Sequence, residues 1–243
     1  MVNIKFMAKV KTMVHISINM DVFLDMTGTI TDMESENMAF LKMCEAIGKR
    51  FNIQMDGKKI MEHILRYRKP FMENRHKEYY PIRNLIAKAI EEIVPKRLCS
   101  SDVFWIIDSY SYYHARYVKL GPGALEALKE IRNISEHMGL ITDADTPYTN
   151  KVLEALGIKH FFDSITTAED AGVGKPNPKI FKMALRHSKS NPKVYIGDSE
   201  FRDVKGAKDV GMIAIKIGNN STEADYTVPS LKDAIKILKT LIR

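Results

Sequence analysis

Four short segments carry side chains suited to chemistry, and each closes an apolar run or opens a helix. Asp25-Met26-Thr27-Gly28-Thr29 follows Val22-Phe23-Leu24, so a carboxylate stands at a strand's C-terminal edge ahead of a turn of small residues. Leu140-Ile141-Thr142-Asp143 ends a second run in a hydroxyl and a carboxylate. Gly174-Lys175-Pro176-Asn177-Pro178 sets a lysine just before a helix start, and Tyr195-Ile196-Gly197-Asp198-Ser199, with Asp203 beyond it, ends another strand in carboxylates. Taken singly, an Asp before a Gly-Thr turn is a loop cap, and a strand-end Thr or a loop Lys is ordinary. Four of them in this order, at the edge where open α/β sheets bind ligands, describe one site.

Those edges need a parallel sheet behind them. Residues 118–243 alternate short apolar runs with helical patterns, which predicts strands at Met138–Thr142, Ser164–Thr167, Lys193–Gly197, Met212–Ile217 and Asp225–Val228 joined by crossover helices. Pro147 sits at a first helical position, Gly157 just past a helix end, and Ser230 with Asp233 opens the last helix. Residues 33–117 differ: Ile82, Leu85, Ile86, Ala89, Ile90 and Ile93, then Ile106, Tyr110, Tyr113 and Tyr117, recur at helical spacing with no strand between them. A strand at Asp21–Asp25 precedes this helical stretch and Gly121-Pro122-Gly123 follows it. The expected fold is α/β, a Rossmann-like parallel-sheet core with an inserted all-helical domain. It divides into 1–32 (an N-terminal extension and the first core strand), 33–117 (the helical insertion) and 118–243 (the rest of the core).

The four segments resemble the ordered motifs of the haloacid dehalogenase superfamily of hydrolases, most of which are phosphatases, and the resemblance runs from Asp21 to Ile217 with the insertion as the cap. It implies Asp25 as nucleophile, Thr142 as the phosphate-binding hydroxyl and Lys175 as the cation balancing the phosphoryl site. Gly28 and Asp143 would join Thr142 and Lys175 around the substrate. Mg²⁺ would be held by Asp25, the Thr27 backbone carbonyl and Asp198, with Asp203 behind. The chemistry is coherent, because a carboxylate attacks a phosphate dianion only when cations neutralise the phosphoryl oxygens. The implied activity is Mg²⁺-dependent hydrolysis of a small phosphorylated metabolite through an aspartyl-phosphate.

One position departs from the pattern. Most phosphatases of this superfamily carry an aspartate two residues after the nucleophile to protonate the leaving group, and here Thr27 stands there. Losing a general acid typically costs about 10²–10⁴-fold. Asp-x-Thr-Gly-Thr also resembles the phosphorylation motif of P-type ion pumps, a likeness confined to those five residues. Two other readings follow: a catalytically weak protein that binds a phosphorylated ligand or partner, and an enzyme resembling the 2-haloacid dehalogenases, which also lack the second aspartate. Asp198 argues against the latter, since a like charge beside the nucleophile opposes its ionisation. In the cap, His63, His76 and His114 read as surface or packed residues, and Arg66-Tyr67-Arg68-Lys69 with Arg75-His76-Lys77 as a solvated charged face.

The remainder of the chain bounds these readings. Of 243 residues, 45% are hydrophobic and 28% charged, an ordinary globular composition that excludes collagen, disulfide scaffolds and disorder. The net charge of +7 is spread as +3, −3, +4 and +3 over residues 1–20, 21–32, 33–117 and 118–243. With no basic patch interleaved with aromatics, nucleic-acid binding is not expected. Runs such as Phe104–Ile107 and Met212–Ile215 are far shorter than a membrane span, so a cytoplasmic protein is expected; nothing in the sequence sets an oligomeric state. Cys44 and Cys99 both fall in helical patterns and are expected as buried, reduced thiols. Val14, Ile16, Ile18, Met20, Val22 and Leu24 alternate over a run long for one strand, so residues 1–19 either add a strand or precede a true start at Met13 or Met20.

Overall fold

The computed structural model describes residues 20–242, and the alternating run before Met20 lies outside them. The chain enters through β1 (Asp21–Leu24) and then forms four successive helices: α1 (Met33–Phe51), α2 (Gly57–Glu73), α3 (Ile82–Glu91) and α4 (Ser100–Tyr117). After α5 (Ala124–Ile134) come β2 (His137–Thr142), α6 (Thr146–Ala155), β3 (Ser164–Thr167), the short α7 (Ala168–Ala171) and α8 (Pro178–Ala184). The chain closes with β4 (Lys193–Gly197), a π-helical turn at Glu200–Val204, α9 (Lys205–Lys208), β5 (Ile213–Ile217), β6 (Tyr226–Val228) and α10 (Leu231–Leu241).

All six strands are parallel, in the order β3-β2-β1-β4-β5-β6. β1 is central because Val22, Phe23 and Leu24 are apolar toward both faces, as a strand covered on both sides requires. Alternation divides the core accordingly. Val22, Leu24, Leu140, Val194 and Ile196 pack on one face with α5, α6 and α10, while Phe23, Ile141, Tyr195 and Ala214 pack on the other with Ile180, Phe181 and Ala207. The strand order reverses between β1 and β4, so the crevice outside their carboxyl ends is the ligand position of this architecture.

The six predicted strands are all present, some one residue shorter. β1 ends at Leu24, although the Asp25 N–H still donates to Ile196 O of β4 at 2.9 Å, and β6 starts at Tyr226, with Asp225 Oδ2 accepting the Ala214 N–H at 2.8 Å. Between β1 and β2 only helices occur. α1 starts where Asp32 Oδ2 accepts the Ser35 N–H at 2.8 Å, and α1 and α4 pack together, with α4 also lying on α6 of the sheet layer. Cys44 is buried in α1, where burial pushes its thiol up to about 12. Cys99 corrects the expectation: it is exposed, because the helix begins only at Ser100 and leaves Cys99 as its N-terminal cap, bonded to Asp102.

Candidate active site

All four motif segments meet around one ammonium. Lys175, 2% exposed, donates from Nζ to Asp25 Oδ1 and Asp203 Oδ1 at 2.6 Å each, to Tyr195 OH at 3.0 Å and to Ile141 O at 3.3 Å, four acceptors for its three N–H groups. Burial opposes the charge, but the carboxylates of Asp203, Asp25 and Asp143 outweigh it and hold this lysine above its ordinary range. Its loop is fixed by Asp143, whose Oδ1 accepts the Lys175 N–H at 2.7 Å. Thr142, the remaining motif residue, is buried beside Asp143 and lines the same cavity as Asp25 and Thr27.

The carboxylates are crowded. Asp25, Asp198 and Asp203 each bring an oxygen within 4.8 Å of the others. Burial, with Asp203 and Asp198 beside it, pushes Asp25 up to about 7 against the pull of Lys175. Burial also raises Asp203, but Lys175 overcomes this and Asp203 ends low. Asp203 is fully committed: Oδ1 also accepts from Tyr195 OH at 2.9 Å, and Oδ2 accepts the Ser199 N–H at 2.9 Å. Asp198 differs, since burial and Asp203 raise it and its Oδ1 is buried with no hydrogen-bond partner. Such an orphaned acceptor beside two carboxylates is the environment a hard divalent cation completes.

Two glycines make room for this packing. Gly28 has φ +82°, and a Cβ there would stand 2.6 Å from Asp198 Oδ2. At Gly197, a Cβ would meet Asp203 Cγ at 2.5 Å. Gly28 therefore contributes to the site by letting the turn after Asp25 pass against Asp198.

The cavity above these groups, about 200 Å³, is roofed by helices of the 33–117 stretch. Arg75 reaches down to Asp143 Oδ2 at 3.2 Å. Asp145 caps α3, accepting from Ile82 N at 2.7 Å, Arg83 N at 2.9 Å and Tyr79 OH at 2.5 Å. Glu36 is buried in the wall: Thr31 Oγ1 donates to its Oε1 at 2.7 Å and Tyr148 OH to its Oε2 at 2.9 Å, while burial raises its carboxyl. His114 donates from Nδ1 to Tyr110 O at 2.7 Å, and burial pushes its imidazole down to about 4, so it stands neutral with Nε2 unprotonated.

Residues 22–211 match the haloacid dehalogenase-like hydrolase family. This chain is a member of that family. The hydrolase is 35% identical over 129 residues to the glyceraldehyde 3-phosphate phosphatase of Methanocaldococcus jannaschii, a match covering 49% of this chain and 57% of the relative. Against the enzyme of the same name from Methanopyrus kandleri it is 36% identical over 139 residues, 52% and 60% of the two chains. The match thus spans little more than half the length of these curated relatives. Among solved structures, a HAD phosphatase from Thermococcus onnurineus superposes with a TM-score of 0.67 at 24% identity, over 92% of this chain and 99% of its own. The L-2-haloacid dehalogenase of Xanthobacter autotrophicus gives 0.66 at 16%, over 90% and 98%. These likenesses show the α/β fold of the family.

The hydrolase's cavity includes residues that sequence patterns did not single out. Glu36, Tyr148 and Arg202 line it although none belongs to a motif string. The basic cap strings read as a solvated face, and that reading holds for Arg66, Lys69 and Lys77 but not for Arg68 and Arg75, which line the cavity. Charge density alone carried no signal for this: Arg68 lies on α2, while Arg75 follows the end of that helix at Glu73 and reaches the cavity from the turn beyond it. Of the cap histidines, only His114 reaches the cavity, and as a packed neutral ring; His63 bonds to Ala89 O at 2.9 Å. Among the described residues no helix is long and apolar enough to cross a membrane.

Proposed function

We propose that this hydrolase is a Mg²⁺-dependent phosphatase that releases phosphate from a small phosphorylated metabolite through an aspartyl-phosphate on Asp25. The observation that carries this reading is the buried cluster of Asp25, Lys175, Asp198 and Asp203 under a small polar cavity. Asp25, the Thr27 carbonyl and Asp198 would hold Mg²⁺, with Asp203 behind them; when bound, the ion neutralises phosphoryl oxygens and lowers the Asp25 pKa. Asp203 keeps Lys175 oriented, because both its oxygens are occupied by protein donors. Lys175 stays charged and, held against Asp25 and Asp203, balances the negative charge of the phosphoryl oxygens beside the Asp25 oxygen that attacks phosphorus. Thr142 donates its hydroxyl to the same group. As the Asp25–phosphorus bond forms, the ester oxygen leaves with the electron pair of its bond to phosphorus; water then cleaves the aspartyl-phosphate, regenerating Asp25 and freeing phosphate.

The relatives named glyceraldehyde 3-phosphate phosphatase support a phosphate monoester as substrate. The dehalogenase reading has less support, since two carboxylates beside the nucleophile, Asp203 and Asp198, oppose its ionisation. A panel of phosphorylated metabolites assayed for phosphate release tests the function. Activity is expected with Mg²⁺, and EDTA is expected to lower it at least tenfold until Mg²⁺ is restored. Release unaffected by EDTA would overturn the metal-dependent mechanism.

Thr27 leaves the leaving group without the usual acid. If threonine only slows proton transfer, Thr27→Asp will raise kcat/KM for alkyl phosphates by up to about 10²-fold and for aryl phosphates much less. The measured quantity is the ratio of variant to parent across leaving groups of falling pKa. A flat ratio, or loss with every substrate, would mean that the site works without a carboxyl acid at this position. Like-charge repulsion with Asp25 limits the gain.

A further inference from the structure

Three guanidinium groups line the cavity, and two are balanced. Arg202 lies 3.8 Å from Asp143 Oδ2 and 4.0 Å from Asp198 Oδ1, and its charged surroundings are Asp203, Asp25, Asp143 and Asp198; it belongs to the phosphoryl end. Arg75 is paired with Asp143. Arg68, on α2, forms neither a hydrogen bond nor an ion pair among the described residues.

The surroundings of Arg68 differ from those of Arg202. The Arg68 guanidinium sits beside Phe40, whose ring packs near His114, and it pairs with none of Asp25, Asp143, Asp198 and Asp203, so it belongs to the helical wall of the cavity and not to the phosphoryl end. Asp145 does not serve as its counter-ion, because its oxygens already accept from Tyr79, Ile82 and Arg83. The guanidinium lies over the Phe40 ring, 5.0 Å from its centroid. This cation–π contact uses none of the N–H donors, and no hydrogen bond among the described residues takes them up. A half-buried cation with no carboxylate to pair with is costly. An anion with two oxygens meets the guanidinium fork and removes that cost.

We propose that Arg68 docks a second anionic group of the substrate, a carboxylate or a second phosphate, so that the enzyme selects small phosphorylated acids or bisphosphates over phosphates with an uncharged tail. The inference rests on the phosphatase reading and names the substrate class of that site. The cavity of about 200 Å³ restricts the carbon skeleton between the two anions to a short one. Arg68 binds the tail equally in the ground and transition states, so its contribution falls mainly on KM.

The test is phosphate release from phosphoglycolate and 3-phosphoglycerate, from a glycerol bisphosphate, and from glycerol 3-phosphate and glyceraldehyde 3-phosphate. The wild-type protein is expected to show a kcat/KM about tenfold or more higher for anionic tails, one factor of ten corresponding to a single good contact. Arg68→Met is expected to lower kcat/KM for anionic tails at least tenfold more than for uncharged ones, and Arg68→Lys to recover part of the difference. The carboxylate and bisphosphate arms separate the two kinds of anion. Equal or better turnover of uncharged tails by the wild type, or an equal loss for both classes in Arg68→Met, would overturn the proposal. Should no substrate release phosphate, the phosphatase reading fails by itself. Calorimetric binding of the same ligands to Asp25→Asn then decides the role of Arg68: tighter binding of anionic tails supports it and equal binding ends it.

Discussion

Asp25→Asn is expected to abolish phosphate release while leaving the fold intact, or slightly more stable. The amide has no charge to attack phosphorus and no means of forming an acyl-phosphate, so kcat should fall on the order of 10⁴-fold or more, the scale of losing a covalent nucleophile. Stability moves the other way for an electrostatic reason. In the protein without a cation, burial and the neighbouring Asp203 and Asp198 push the Asp25 carboxyl up to about 7, against the pull of Lys175. A neutral isostere removes that strain, its carbonyl oxygen can still accept from Lys175, and Asp203 continues to balance the ammonium. The check is aryl-phosphate hydrolysis paired with thermal melting in EDTA. Residual turnover within tenfold of wild type would exclude Asp25 as nucleophile. A large fall in melting temperature would show that its charge is needed to hold Lys175.

Lys175→Met is expected to be damaging on both counts. The ammonium is the shared partner of Asp25 and Asp203, and Asp203 is completely buried. Removing one member of a buried ionic cluster leaves uncompensated charge and costs about 3–5 kcal/mol. That is a large share of the roughly 5–15 kcal/mol total stability of a domain. The pH dependence supplies a signature. Without Lys175 the folded-state pKa of Asp25 rises further above its unfolded value and that of Asp203 rises from below its unfolded value to above it, so the folded state binds more protons than the wild type and the variant should gain stability more steeply as pH falls from 8 to 5. Adding Asp203→Asn should recover part of the loss. Chemical denaturation of the three proteins across that range measures both effects. Equal unfolding free energies for the wild type and Lys175→Met would show that the cluster is not an electrostatic unit. Phosphate release by Lys175→Met should fall by at least the roughly 10²–10³-fold typical of losing one preorganised charge-stabilising donor.

Much of this site is legible in the chain itself. An apolar run that ends abruptly in a polar residue marks a strand's exit from a sheet, and Asp25, Thr142 and Asp198 stand at three such exits, the ends of β1, β2 and β4. The strand's two-residue period does that work, since Val22, Phe23 and Leu24 have no solvent-facing side. Gly28 is readable for the same local reason: a small residue just past a strand end is where the backbone can turn with positive φ. Lys175, by contrast, is only a loop lysine in sequence, and the resemblance to a family gave it a role before any geometry did.

What the chain could not reveal is which charges meet. Lys175 and Asp25 are separated by 150 positions and join only because β1 is flanked by β2 and β4 and the loop after β3 folds over their ends. Arg66, Arg68 and Lys69 are equivalent cations on one helix. Each residue turns the helix by about 100°, so only packing against Phe40 and Tyr110 decides which of them faces the cavity. Asp143 and Asp203 are two carboxylates among many in sequence, and only the fold shows that their oxygens accept from Arg75 and Lys175, and from Lys175, Tyr195 and Ser199. Strand ends follow from local periodicity and survive in the one-dimensional pattern. The pairing of buried charges depends on distances set by the whole sheet and its helical roof, and electrostatic energy responds to those distances, not to separation along the chain.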